Sequence, residues 1–81
     1  MSETTSRERV ARNFLDRFGA DGLRALLDAL AQGESGQVIA DRFQVSRERV
    51  RQWKNAFGSE VVIYQVHPRV ASLLREASEA T

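Results

Sequence analysis

The tightest constraint on this fold lies between Gly33 and Gly58, where two short amphipathic segments are joined by only Gln44-Val45. Ser35 opens the first segment and Ser46 the second. A serine there can accept a hydrogen bond from an early backbone N–H and so start a helix. The first segment, roughly Gly36 to Phe43, points Val38, Ile39, Ala40 and Phe43 inward. The second, running to about Phe57, sets Val50, Trp53 and Phe57 three and four apart among polar and basic residues. So short a connection suits two helices that cross steeply at close range. The contact then needs a small residue, supplied by Ala40, and the turn must bury one apolar side chain, supplied by Val45. Gln44 stands where such a turn usually carries glycine, so a left-handed backbone is expected at a residue that enters it at some cost.

The flanks are punctuated in the same way. Thr5 and Glu8 have capping-box spacing ahead of a helix whose Val10, Ala11, Phe14, Leu15 and Phe18 form one stripe, ended by Gly19. Asp21 can cap a second helix carrying Leu23, Leu26, Leu27 and Leu30, ended by Gly33. Beyond Gly58, the run Glu60 to Val66 is dense in β-branched residues and reads as a strand. His67 is placed to cap a last helix that starts at Pro68 and carries Val70, Leu73, Leu74 and Ala77. The expected fold is therefore mainly α. A helix-turn-helix bundle of about four helices fills 1–58, with the helix-turn-helix at 36–57. One short β-strand and a C-terminal helix follow over 59–81.

Composition removes most other chemistry. With 81 residues the chain has room for one domain, and with no cysteine it has neither disulfides nor thiolate metal sites. No apolar run approaches the roughly 18 residues of a membrane span, and the polar start Met1 to Thr5 does not read as a signal peptide. A soluble, cytoplasmic, nucleoid-associated protein is expected. The only histidine, His67, has no acid or nucleophile placed with it, and no phosphate loop or metal-ligand spacing occurs. No cofactor, metal or enzymatic activity is expected. Charge is unevenly placed: residues 36–57 hold five basic side chains against two acidic ones, and the remainder seven against nine. Positive charge gathered on one short segment suits a polyanion, because neutralised phosphates release counterions. A merely solvated helix face would show a similar charge run.

The stretch Gly36 to Asn55 resembles the helix-turn-helix of bacterial and phage regulators. Within it, Val45-Ser46-Arg47-Glu48-Arg49-Val50-Arg51-Gln52 is similar to the promoter-reading helix of primary sigma factors, over about 16 residues. That resemblance implies that Arg47, Glu48, Arg51 and Gln52 face DNA bases or backbone. Helical spacing independently puts these four and Asn55 on one face. Arginine can pair bidentately with guanine, glutamine or asparagine with adenine, and glutamate can accept from cytosine. Arg42, Ser46, Arg49 and Lys54 lie at the sides, suited to phosphates.

A lone strand leaves its backbone groups unpaired. A two-stranded ribbon between two protomers is therefore expected, with Val61, Val62, Ile63, Tyr64 and Val66, and Leu73 and Leu74 of the last helix, at a homodimer interface. The alternative is a short wing packed on its own domain. The function expected is that of a sequence-specific double-stranded DNA-binding regulator, of the repressing or autoregulating kind. The competing expectation is a DNA-binding adaptor or a sigma-like interaction module that recruits RNA polymerase or a phage protein through the C-terminal strand and helix.

Overall fold

The computed structural model describes residues 6–60 and 64–79. They run as α1 (Ser6–Ala31), α2 (Gly36–Phe43), α3 (Arg47–Phe57), β1 (Gly58–Glu60), β2 (Tyr64–Val66) and α4 (Pro68–Glu79). The architecture is the expected mainly helical one. Thr5, expected to cap the first helix, lies outside the described residues.

The two N-terminal helices expected on either side of Gly19 are run together as α1, bent at that residue. Gly19 has φ 76° and ψ 177°, a conformation in which a Cβ would be strained. The chain thus changes direction without a loop. Ala11 and Phe14 of the first arm and Leu23, Leu26, Leu27 and Leu30 of the second are buried in one core. The centre of that core is aromatic. The Phe14 ring meets Trp53 edge-on at 4.8 Å between centroids and Phe57 at 5.8 Å, and Phe18 and Phe43 each meet Trp53 edge-on as well. Such tilted contacts set positive ring edges against negative faces. They lock the inner side of α3 onto α1. Trp53 is core, as its place in the apolar row implies.

Helix α4 buries Val70 and Leu73 and packs against α1. His67 caps it, its Nδ1 accepting from the Arg69 N–H at 3.0 Å. The Arg69 Nε donates to Glu8 Oε2 at 2.9 Å, so an ion pair ties the start of α4 to the start of α1.

The strand expectation is corrected. β2 is not alone: it pairs antiparallel with β1 of the same chain, with Gly58 opposite Val66, Ser59 opposite Gln65 and Glu60 opposite Tyr64. The His67 N–H donates to the Phe57 carbonyl at 2.8 Å and continues the ladder by one rung. β1 reads Gly-Ser-Glu, without a β-branched or aromatic residue. Its extended form is imposed by the partner strand rather than by propensity. The unsatisfied edge that motivated a ribbon between protomers is thereby filled in cis. Tyr64 and Leu73, expected at that interface, are buried in the chain's own core, and Val66 and Leu74 are half-buried against it. Val61, Val62 and Ile63 lie outside the described residues. No helix among the described residues is long and apolar enough to cross a membrane.

Candidate nucleic-acid interface

The turn between α2 and α3 forms because Gln44 adopts φ 58°, ψ 49° and reverses the chain. The Ala40 carbonyl accepts from the N–H groups of both Gln44 and Val45. Ala40 is buried, and Val45 is half-buried against the core. Ser46 then starts α3: its Oγ accepts from the Arg49 N–H at 3.1 Å, and its carbonyl takes the Val50 N–H. The cap uses the serine as an acceptor and leaves its hydroxyl hydrogen for a further partner.

With Val50, Trp53 and Phe57 turned into the core, α3 leaves Arg47, Glu48, Arg51, Gln52 and Asn55 exposed together. Glu48 and Arg51, one turn apart, form a two-pronged ion pair, with Nε to Oε1 at 3.2 Å and Nη2 to Oε2 at 3.0 Å. Hydrogen bonds from Arg51, and then its charge, hold the Glu48 carboxyl below its ordinary range; the same bonds raise the Arg51 guanidinium. In full solvent such a pair adds little stability. Its consequence is geometric: it turns the Nε–Nη2 edge of Arg51 toward Glu48, so a base there must displace or share that carboxylate.

The side positions differ among themselves. Arg49 is exposed and Lys54 half-buried. Arg42 is exposed on α2, but its Nη2 donates to Glu34 Oε1 at 2.8 Å, so a phosphate there must displace or share that carboxylate. On the α2 side of α3 a groove floored by Leu30, Ile39 and Val50 is rimmed by Glu34, Glu48, Arg47, Arg51 and Lys54.

Sequence reasoning missed what α1 contributes. Asn13 and Arg17 come beside Arg49 and Gln52 along the other side of α3. The Arg7 Nε donates to the Ala56 carbonyl at 2.8 Å, and the Tyr64 hydroxyl donates to the Lys54 carbonyl at 2.6 Å. Both bonds fall on the last turn of α3, where free carbonyls and the negative end of the helix dipole favour such donors. One signal for Arg7 was present: it continues the spacing of Ala11, Phe14 and Phe18, a charge placed on an apolar stripe.

A short first helix, a tight left-handed turn over a buried alanine, and a second helix anchored by one face define a helix-turn-helix. Residues 23–60 match a family model described as a homeodomain-like domain. The match takes in the second arm of α1, α2, α3 and β1, a little under half of the chain. The fold is thus a homeodomain-like helix-turn-helix, a DNA-binding type of domain, extended by a hairpin and a C-terminal helix. Neither the curated proteins nor the solved structures gave a match.

Proposed function

We propose that this chain is a sequence-specific regulator of transcription that inserts α3 into the major groove of duplex DNA. One observation carries this conclusion most directly. Arg47, Glu48, Arg51, Gln52 and Asn55 are exposed together on a helix whose other side is pinned by Val50, Trp53 and Phe57. Arg47 and Arg51 are suited to guanine, Gln52 and Asn55 to adenine, and Glu48 to cytosine, each good pair being worth roughly 1–3 kcal/mol of discrimination. The likeness of residues 45–52 to a promoter-reading helix supports the same roles. Ser46, Arg49, Lys54 and, after release from Glu34, Arg42 are assigned to phosphates. Occupying a site is sufficient to block polymerase, so repression or autoregulation is the regulatory role proposed.

The hairpin removes the specific reason to expect a strand-paired homodimer. A single copy reading a single site is the simpler arrangement, and dimerisation through another surface is decided by the form of the site.

The test is selection of bound fragments from a random duplex pool at near-physiological salt, followed by sequencing. An enriched motif supports the proposal; a single half-site indicates one copy per site and an inverted repeat a dimer. Salt-sensitive binding without enrichment favours the adaptor reading. No binding to any duplex defeats the proposal and favours a protein-interaction module, in which Arg47→Ala and Arg51→Ala would be silent.

A further inference from the structure

We infer that the seam between α1 and α3 is a second phosphate track, in which Arg17 and Asn13 of α1 join Arg49 of α3 to grip the DNA backbone beside the base-facing Gln52. This rests on the DNA-binding reading above and extends the interface beyond the helix-turn-helix. A helix lying in the major groove has a sugar-phosphate strand along each side, so each flank of α3 must meet one.

The two flanks differ in chemistry. The groove on the α2 side mixes charges: Glu34 and Glu48 line it with Arg47, Arg51 and Lys54. Glu48 holds Arg51, and Glu34 holds Arg42 of the neighbouring helix. Carboxylates beside a phosphate strand repel it. Among the described residues, those that line the seam on the α1 side include no carboxylate. Asn13, Arg17, Arg49 and Gln52 line one part of it, and Ser6 and Arg7 continue it toward the end of α3. Among the described residues neither Arg17 nor Arg49 is in an ion pair. The Arg17 guanidinium lies over the Phe18 ring, with Cζ 4.9 Å from the centroid. An aromatic face holds a cation without occupying its N–H donors. Arginines and side-chain amides along an acid-free strip form a donor set for phosphate oxygens, which position a protein without reading sequence. The track is continuous with the base-facing surface through Gln52 and Asn55, which border both. The occupant it fits is therefore the backbone of the same duplex.

The experiment measures affinity of the full chain for the selected duplex and for a random duplex across a salt series, with circular dichroism confirming the fold of each variant. Arg17→Ala is expected to weaken both duplexes by the same factor and to lower the slope of log K against log salt by about 0.9, the value for one phosphate. Arg17→Lys keeps the slope, and Asn13→Ala gives a smaller uniform loss without changing it. Arg75→Ala, the same charge removed from exposed α4, leaves both affinities unchanged. The inference is overturned if Arg17→Ala retains wild-type affinity and slope, if its loss is confined to the selected sequence, or if Arg75→Ala loses as much. A wild-type chain that binds no duplex overturns the DNA reading itself and the seam with it.

Discussion

The two ends of α3 are secured in opposite ways. At its N-terminus the helix is capped by its own neighbour, Ser46, and the residues that follow stand in solvent. At its C-terminus it is held from elsewhere. Arg7 reaches the Ala56 carbonyl across 49 positions, Tyr64 reaches the Lys54 carbonyl across 10, and His67 bonds the Phe57 carbonyl. The difference shows how a small domain can offer a helix end to a ligand while keeping it rigid. The exposed end needs only local bonds, because the far end is bolted to α1 and the hairpin. Recognition groups placed on a rigid element keep their geometry better than groups on a loop.

The largest way to break this arrangement is at the bolted end. Phe57→Ala empties a fully buried site against Phe14, and the expected loss is about 3–5 kcal/mol, enough to unfold much of so small a domain. Denaturant titration followed by circular dichroism measures it. Gly58→Ala comes next. Its backbone is extended and any residue could adopt it, but the new Cβ would be driven into the Gln65 carbonyl across the hairpin. A loss of about 1–3 kcal/mol is expected from the forced shift, read from the same titration.

Two milder variants sharpen the comparison, since they remove one hydrogen bond from each end. Ser46→Ala and Tyr64→Phe should each cost about 1 kcal/mol. Their effects on DNA binding should nevertheless diverge. Loss of the cap frays the turn carrying Arg47 and Glu48 and weakens binding to the selected site, whereas Tyr64→Phe keeps its ring in the core and leaves binding nearly intact. Equal losses of affinity would show that the C-terminal bond positions the whole helix. The smallest effect is expected at Glu48→Gln, which leaves stability unchanged and raises affinity for random duplex, read in the same binding series, by removing one negative charge from the exposed side of α3. Acid should act in the same direction. The Glu48 carboxyl is held below its ordinary range in the folded chain, so its pairing with Arg51 is present above the unfolded value and is lost as pH falls through the folded one.

Much of this architecture was legible locally. The serine caps, the left-handed Gln44, the small Ala40, the buried Trp53 and the histidine cap of α4 each follow from one residue type at one spacing. So does the exposed set on α3, because residues three and four apart on a helix must share a face. The hairpin was not legible. Gly58-Ser59-Glu60 carries no strand propensity, and a strand is identified by its partner as much as by its side chains. Nor was the seam, because Asn13 and Arg17 stand more than thirty positions from Arg49 and read there as ordinary solvated residues of a helix. Periodicity and capping act within a turn or two of the chain, so the sequence by itself determined the helices, the exposed set on α3 and most of the inner faces; Val38, expected to point inward on α2, stands exposed. Which strand closes the hairpin was decided by the pairing of β1 with β2, and which flank of α3 lies beside which cations depends on distant segments, so only the packing of α1 against α3 decided it.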